Sequence, residues 1–371
     1  MYTRELVPVA PPADASTKVM QVLANPQMLQ VVVQPLIDLK TAQVAGWEVL
    51  TRAHEDLDIA PSELFAAAAA MGVGADLHII AVQAALELRS TLPAGSFLTF
   101  NVDPRAVVSG HVQALLREQE DLSGLIVELV EAAWPVDPTA LLASLVDLRE
   151  HGARIAVDDV GAGYSGLSQL MAVRPELIKL DKSLIQNLPN DPAAQALVTA
   201  VSLLSGTLDA WIAVEGIEDE EQLRAVSELG IPLAQGYIFG MPAPAWPQVD
   251  TSAVRRILRA GTHRARDVAD LMRDAVPGEL ITDARGRPES LVTFNGAGSL
   301  ETHPLIAVAP STTIRQALTR ALRREPHRRF LPLVVTSPLG NPLGLVDVDA
   351  MAMSLMNETN LGSEPAFSFA R

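Results

Sequence analysis

The chain has 371 residues, of which 49% are apolar and 19% are charged, so its length allows a large domain plus a smaller one and its composition excludes global disorder. The formal net charge of −16 opposes binding to polymeric nucleic acid. No cysteine is present, which excludes disulfides, thiolate metal sites and cysteine nucleophiles and agrees with a cytoplasmic protein. The longest apolar stretch, Leu64 to Ala75, is far shorter than the roughly 20 residues of a membrane-spanning helix, so no membrane association is expected.

In chain order, the first predicted element is a loose arm of residues 1–19, after which short β-branched runs alternate with helical patterns. The predicted strands are Val31–Pro35, Val44–Arg52, Phe97–Asn101, Leu125–Glu128, Arg154–Asp158, Leu177–Leu180, Trp211–Glu215 and Leu233–Gln235. The predicted helices include Pro61–Met71, Leu77–Ser90, Asp137–His151 and Glu218–Leu229. Because only a short turn separates the first two strands, that pair should be antiparallel. The order predicts an α/β fold: a modified (β/α)8 TIM-like barrel with one antiparallel strand.

Charge and proline content predict where this barrel ends. The segment Met241 to Pro247 holds closely spaced prolines, which neither continue a helix nor fit a central strand. Residues 1–250 carry a net charge of −19, whereas residues 251–371 carry +3. The predicted division is therefore an arm (1–19), a barrel (20–246) and a small α+β C-terminal domain (251–371).

Polar residues fall at the ends of the predicted strands. They are Asn101, Glu128, Asp158, Asp159, Lys179, Asp181, Glu215 and Gln235, with Glu48 inside the second strand. In a barrel these strand ends meet at one mouth, where catalytic groups lie. At any single position, a strand that simply leaves the core through a polar residue is the simpler explanation. The same placement on seven strands favours a functional site.

So many carboxylates at one mouth cannot all be ionised and unpaired, because neighbouring negative charges raise one another's pKa. Divalent cations would resolve this conflict. The predicted ligand set is rich in oxygen and holds no paired histidine, which favours Mg²⁺ or Mn²⁺ over zinc. Adjacent Asp158 and Asp159 could help to hold two ions roughly 3.5–4 Å apart, as in two-metal phosphoryl chemistry.

A second motif suggests another chemistry. The segment from Gly161 to Gly166 matches the G-x-G-x-x-G pattern of dinucleotide-binding folds, and Asp181 follows about 20 residues later. However, the pattern lies in the middle of the chain and directly follows Asp158 and Asp159. Two carboxylates would repel a metal-free pyrophosphate, so dinucleotide binding is disfavoured.

The motifs resemble those of the EAL domain family, phosphodiesterases that hydrolyse cyclic di-GMP to linear pGpG. The resemblance covers residues 20–246. Its motifs are Gln34-Pro-Leu, Glu48-Val-Leu-Thr-Arg52, Phe100-Asn101, Glu128-Leu-Val-Glu131, Asp158-Asp-Val-Gly-Ala-Gly-Tyr-Ser165, Ile178-Lys-Leu-Asp181, Val214-Glu-Gly-Ile-Glu218 and Gln235-Gly-Tyr-Ile-Phe-Gly240. The resemblance implies two Mg²⁺ or Mn²⁺ ions per active site and a homodimer.

It also implies a role for each matching residue. The ligands of the first metal would be Glu48, Asn101, Glu128 and Asp158. The second metal would share Asp158 and also contact Asp159 and Glu215. Lys179 would orient or deprotonate the attacking water with a depressed pKa, and Asp181 would hold that lysine or bind metal. Substrate contacts would come from Gln34, Arg52 and Gln235. Support for the second metal and communication with the dimer interface would come from Glu131, Glu218 and the loop Val160–Ser165.

Two departures from the family pattern leave every ligand in place. Val49 stands where the signature has alanine, and Ala162 stands where threonine is usual, which could lower activity or alter its regulation. One alternative is therefore a weak or inactive domain that acts as a cyclic di-GMP receptor. A barrel glycosidase also uses paired carboxylates, but Lys179, Asn101 and the adjacent aspartates do not suit it.

The C-terminal region resembles a CBS-type helix–strand–strand–helix module. The matching segments are Val308–Leu318, Leu331–Val335 and Pro342–Asp347. The resemblance implies a regulatory or dimerisation domain with a possible nucleotide ligand. A cluster of arginines could meet phosphates, or could simply form a solvated basic helix end: Arg320, Arg323, Arg324, Arg328 and Arg329.

Overall fold

The structure, a computed structural model, describes residues 13–130, 134, 137–161, 166–260, 267–294, 298–310 and 312–361. Its larger part is a closed barrel. The strands are β1 (Leu29–Asp38), β2 (Gln43–Ala53), β3 (Phe97–Val102), β4 (Leu125–Leu129), β5 (Arg154–Val160), β6 (Leu177–Leu180), β7 (Trp211–Val214) and β8 (Leu233–Ala234). Strand β1 is antiparallel to both of its neighbours, and the other neighbouring pairs are parallel. The predicted fold is confirmed, and the predicted strands differ from these bounds by a few residues at most.

Helices surround this barrel. They are α1 (Ala13–Ala24), α2 (Pro61–Ala70), α3 (Gly74–Leu88), α4 (Pro104–Val108), α5 (His111–Arg117), α6 (Thr139–Glu150), α7 (Gly166–Val173), α8 (Lys182–Gln186), α9 (Pro192–Leu208), α10 (Glu220–Glu228) and α11 (Ser252–Ala260). Aspartates begin several of them: the side chain of Asp191 accepts hydrogen bonds from backbone N–H groups at the start of α9, and Asp219 does the same for α10. Within the described ranges, no helix combines the length and apolarity needed to cross a membrane.

The N-terminal arm is shorter than predicted. Helix α1 begins at Ala13, inside the segment 1–19 that was expected to be loose. Val19 and Val22 on this helix are fully buried in a cluster with Leu64 of α2 and Leu77 of α3. The arm prediction was wrong for residues 13–19 because the two valines, three residues apart, give the helix one apolar face that packs on its neighbours.

Beyond α11, the described part of the C-terminal region contains two small sheets and two α-helices. The first sheet consists of β9 (Leu280–Thr282), β10 (Pro288–Phe294) and β11 (Leu300–Pro304). The second consists of β12 (Ala307–Val308), β13 (Leu333–Thr336) and β14 (Pro342–Val346), flanked by α12 (Ile314–Leu322) and α13 (Val348–Leu361). The order α12–β13–β14–α13 is the predicted helix–strand–strand–helix order, and the CBS-type assignment stays a prediction.

This C-terminal domain packs on the base of the barrel, the end where the parallel strands begin. An apolar cluster there contains Phe97, Leu177 and Trp211, the first residues of β3, β6 and β7, and it is completed by Ala309 and Leu339 of the C-terminal domain. Polar contacts add to it: the Trp211 indole donates to the Thr336 carbonyl at 3.0 Å. These contacts lie at the end of the barrel opposite to the strand ends that carry the predicted polar residues.

Two arginines of the predicted phosphate-binding cluster have structural partners. Arg320 forms an ion pair with Asp209 of the barrel and donates to the Gly206 carbonyl. Arg324 donates to the carbonyl of Pro332 at 3.2 Å. Arg320 therefore opposes the acidic barrel, whereas Arg324 is held by a backbone carbonyl of its own domain, and these contacts agree better with a structural role of the two residues than with phosphate binding.

Candidate active site

The barrel fold brings most of the predicted polar residues together at its mouth. Adjacent strands are in register there: Gln34 pairs with Glu48 between β1 and β2, and Asn101 pairs with Glu128 between β3 and β4. A cavity of about 180 Å³ lies beside them. Its lining includes Gln34, Glu48, Glu215, Glu218 and Gln235. Residues that are up to 201 positions apart in sequence thus face one space.

Lys179 lies at the centre of this site and is fully buried. Four carboxylates surround its ammonium group. The distances from Lys179 Nζ are 2.5 Å to Glu215 Oε1, 2.8 Å to Glu128 Oε2, 3.2 Å to Glu48 Oε2 and 3.5 Å to Asp158 Oδ1. One positive charge therefore meets four potential negative charges, so the site has a surplus of negative charge when all four are ionised.

The pKa values reflect this surplus. Burial, together with the charges of Glu48 and Asp158, raises the pKa of Glu128 to about 8, although Lys179 acts in the opposite direction. The pKa of Glu215 is likewise raised, first by burial. Burial lowers the pKa of Lys179, but the surrounding carboxylates outweigh it and raise that pKa well above its usual value. The depressed Lys179 pKa expected from the sequence would require bound cations, because the protein groups alone act in the opposite direction.

The carboxylates form two overlapping groups that could each hold a metal ion. Oxygen atoms of Glu48, Glu128 and Asp158 lie within 4.8 Å of one another, and so do those of Asp158, Asp159 and Glu215. Asp158 belongs to both groups. This arrangement has the geometry of two adjacent cation sites with one shared carboxylate.

Unpartnered oxygen atoms test whether a cation fits. Within the described part of the chain, Asn101 Oδ1, Glu128 Oε1 and Glu215 Oε1 are buried and make no hydrogen bond, although Glu215 Oε1 contacts the lysine. Buried polar atoms normally find partners, so orphaned oxygens at one site indicate a missing electropositive ligand. An all-oxygen set of carboxylates and a carboxamide suits a hard divalent cation.

Amide side chains fix the position of Glu48. Gln235 Nε2 donates to Glu48 Oε2 at 2.7 Å and to Gln34 Oε1 at 2.9 Å. Asn101 Nδ2 donates to the other oxygen of Glu48 at 3.0 Å. Gln34 in turn donates to the Gly240 carbonyl at 3.2 Å. Gln34 and Gln235, both predicted to contact substrate, therefore also orient a candidate metal ligand.

Asp159 occupies an unusual backbone position. Its φ of 56° lies in the left-handed region, which non-glycine residues seldom adopt. Burial, followed by the charges of Asp158 and Asp181, raises its pKa to about 6. Strain and charge repulsion together at one aspartate are typical of a functional site, where bound ligands compensate for both.

Three other predicted residues lie at the edge of the site. Asp181 begins α8, where its carboxylate accepts from the Ser183 N–H at 2.9 Å, and it is not among the carboxylates that contact Lys179. The role predicted for Asp181, to hold the lysine or to bind metal, stays a prediction. Arg52 lies four residues beyond Glu48 on β2, and its guanidinium donates to the Thr51 carbonyl at 2.8 Å. Glu218 is exposed at the cavity wall.

Glu131 and Ala162, with the rest of the loop from 162 to 165, lie outside the described residues. Sequence analysis also missed several residues that line the cavity: Leu50, Lys182 and Tyr237. Each is two or three residues beyond a predicted site residue, which is the signal that could have identified them. Tyr237 is 56% exposed, and its aromatic ring offers the site a stacking surface.

Two relatives show sequence similarity to the barrel. The Sinorhizobium fredii protein y4lL is 31% identical over 224 residues, which is 58% of this chain and 27% of that protein. The cyclic di-GMP phosphodiesterase RocR of Pseudomonas aeruginosa is 36% identical over 152 residues, 40% of this chain and 39% of RocR. The chain thus spans well under half the length of these curated relatives.

Solved structures show the same fold. The PaMucR phosphodiesterase in complex with cyclic di-GMP is 27% identical, with a TM-score of 0.55 over 62% of this chain and 98% of that one. Klebsiella pneumoniae BlrP1, in complex with manganese and cyclic di-GMP, is 28% identical, with a TM-score of 0.52 over 58% of this chain and 56% of that one. The family model of the EAL domain matches residues 19–242 of this chain. With this match over more than half of its length, the chain belongs to the EAL domain family.

Proposed function

We propose that the protein hydrolyses cyclic di-GMP to linear pGpG by metal-dependent cleavage of one phosphodiester bond. The observation that carries this proposal is the pair of carboxylate groups that share Asp158 beside Lys179 and the cavity. Relatives support the substrate, because RocR is named as a cyclic di-GMP phosphodiesterase and the PaMucR structure contains cyclic di-GMP.

In this proposal, Glu48, Asn101, Glu128 and Asp158 would hold one cation, and Asp158, Asp159 and Glu215 would hold another. When bound, two Mg²⁺ or Mn²⁺ ions would polarise the phosphate and lower the pKa of the attacking water. BlrP1 structures contain calcium or manganese together with cyclic di-GMP, which supports divalent cations at such a site.

The side chains around the cations would then perform separate tasks. Lys179 would orient the attacking water and accept its proton once cations neutralise the carboxylates around it. Arg52 and Lys182 are cationic, and each would bind a phosphate of the substrate. Gln34 and Gln235 would keep Glu48 in its ligand orientation through the hydrogen bonds that they already make.

A non-hydrolytic cyclic di-GMP receptor is the second candidate. The observation that favours it is the contact of Lys179 with four carboxylates, which raises the pKa of the lysine and keeps it protonated. A protonated lysine cannot serve as a base. Under either function, we propose a cytoplasmic homodimer whose residues 251–371 form a CBS-like regulatory or dimerisation domain with a possible nucleotide ligand.

One experiment separates these candidates. Purified protein is incubated with cyclic di-GMP and Mg²⁺ or Mn²⁺, with and without chelator, and the nucleotides are resolved by chromatography. The appearance of pGpG that chelator abolishes supports the enzyme. Tight binding of cyclic di-GMP without any product supports the receptor. If the protein neither binds cyclic di-GMP nor forms product, both candidate functions are contradicted.

A further inference from the structure

A larger cavity lies at the opposite end of the barrel from the candidate active site. Its volume is about 370 Å³, and it is formed where the C-terminal domain meets the barrel base. We call it the seam cavity. The lining residues with polar or aromatic side chains include Arg154, Arg174, Glu176, Asp209, Trp211 and Arg287. Its volume lies in the range of roughly 300–1,000 Å³ that is usual for small-molecule sites.

Positive charge predominates in the seam cavity, because three arginines of the lining meet two acidic residues and each of these two also has a partner outside the lining. Arg149 Nε donates to Glu176 Oε1 at 2.8 Å, and Arg320 forms an ion pair with Asp209. Glu176 is therefore shared between Arg149 and Arg154, and Asp209 is paired with Arg320, so the lining as a whole keeps a surplus of positive charge. This is unusual in a chain whose net charge is −16.

Arg154 shows the lack of compensation directly. Its side chain is only 18% exposed, and burial lowers its pKa. Its Nη2 donates to the Leu339 carbonyl at 3.0 Å, and its Nη1 lies 3.6 Å from Glu176 Oε1. Its Nε is buried and makes no hydrogen bond with any described residue. Because this Nε is enclosed, Arg154 would act on an anion in the cavity through the charge of its guanidinium, which the protein pairs only in part.

The other two arginines of the lining, one from each domain, leave donors available. Arg174, on the barrel, has an exposed side chain. Arg287, in the C-terminal domain, donates from Nη2 to the Gly152 carbonyl at 2.9 Å, which leaves its other guanidinium donors available. Gly340 of the C-terminal domain leaves room for this guanidinium of Arg154, because a Cβ there would lie 1.7 Å from Arg154 Nη2 and would displace it.

We propose that the seam cavity binds a small molecule that carries one or two phosphate groups. A guanidinium fork matches phosphate oxygens in geometry and charge. Three arginines suit the two to three negative charges of a phosphate or diphosphate better than the single charge of a carboxylate. Because Arg154 and Arg174 belong to the barrel and Arg287 to the C-terminal domain, the ligand would link the two domains.

The test is isothermal titration calorimetry on the full-length protein, freed of divalent cations by a chelating resin and kept at physiological salt. The probes are pyrophosphate and, separately, guanosine 5′-monophosphate. We expect saturable binding, with affinity lowered about tenfold by R174Q and by R287Q, since each removes a charge-assisted contact. R224Q is the matched control, because Arg224 is an exposed barrel arginine outside the lining of the cavity.

The two probes distinguish the sources of phosphate. Tighter binding of the mononucleotide would assign a nucleotide ligand, and tighter binding of pyrophosphate would assign a diphosphate without a base; both outcomes support the site. If neither probe binds, the proposal is overturned. Equal affinities of the wild type, R174Q and R287Q would also overturn it, because binding would then occur elsewhere.

Discussion

The surplus of negative charge around Lys179 leads to a prediction in which two substitutions at one ion pair have opposite effects. Lys179→Met removes the one ammonium group that contacts all four carboxylates among the described residues, while Glu128→Gln keeps the shape of its side chain and removes one of those carboxylates. Without divalent cations, we expect the first substitution to destabilise the protein and the second to stabilise it.

The magnitudes follow from the burial of both groups. Removal of one partner from a buried ion pair costs about 3–5 kcal/mol, which is the expected loss for Lys179→Met. The pKa of Glu128 is raised from 4.5 to about 8, so its contribution to stability is fully present below pH 4.5 and is lost as the pH rises toward 8. At pH 7 that loss is on the order of 3 kcal/mol, and Glu128→Gln should recover most of it.

The assay is urea unfolding of the wild type and both variants, followed by tryptophan fluorescence, with chelator and again with excess Mg²⁺. Mg²⁺ should restore much of the stability of Lys179→Met, because cations neutralise the same carboxylates. It should stabilise Glu128→Gln less than the wild type, because a candidate ligand has been changed. The reasoning is refuted if both variants lose stability equally in chelator, since negative charge would then not be in surplus.

Four further predictions follow from other contacts. Glu48→Ala should abolish turnover with an unchanged circular dichroism spectrum, a loss beyond the roughly 10–100-fold effect of outer-shell partners; near wild-type activity would contradict the proposed metal site. Ca²⁺, which accepts looser coordination, should support binding of cyclic di-GMP without turnover, and full activity in Ca²⁺ would contradict the proposed geometry. Burial lowers the pKa of His78 from 6.5 to about 4, so the free energy of unfolding should fall by about 2 kcal/mol from pH 7 to pH 5 in the wild type but not in His78→Leu. An equal dependence of the unfolding free energy on pH in both proteins would exclude this cause. Trp211→Phe should cost about 1 kcal/mol of stability because it loses the hydrogen bond to Thr336, whereas the indole N–H of Trp134 makes no hydrogen bond with any described residue that Trp134→Phe could lose. Equal losses of stability in thermal unfolding would count against a stabilising role of the Trp211 hydrogen bond.

The barrel could be predicted from the sequence because each strand is a short apolar run that ends in a polar residue. The strands β4 and β6 show this, since Leu125 and Leu177 begin fully buried runs that lead to Glu128 and Lys179. The carboxylates of most candidate ligands lie together at one mouth, as the motifs predicted, and their role as ligands stays a prediction. Contacts between particular atoms were not predictable, because the distance from Lys179 to each carboxylate depends on strand register and on side-chain rotamers.

Features that depend on packing between distant segments were the hardest to predict. The apolar face of α1 becomes apparent only when α2 and α3 are present to bury Val19 and Val22. The seam cavity requires residues from the barrel and from the C-terminal domain, which the sequence analysis treated as separate units. The ion pair of Arg320 was also not predictable, because its partner, Asp209, is 111 residues away in sequence.

The apolar cluster at the barrel base has a consequence for how this domain can be exchanged between proteins. Phe97, Leu177 and Trp211 are shielded there by Ala309 and Leu339 of a different domain. A barrel that ended after its last helix would present this apolar end to water and would tend to aggregate. A new partner domain fused to this barrel would therefore need an apolar surface of matching shape, and a flexible linker alone would not replace it.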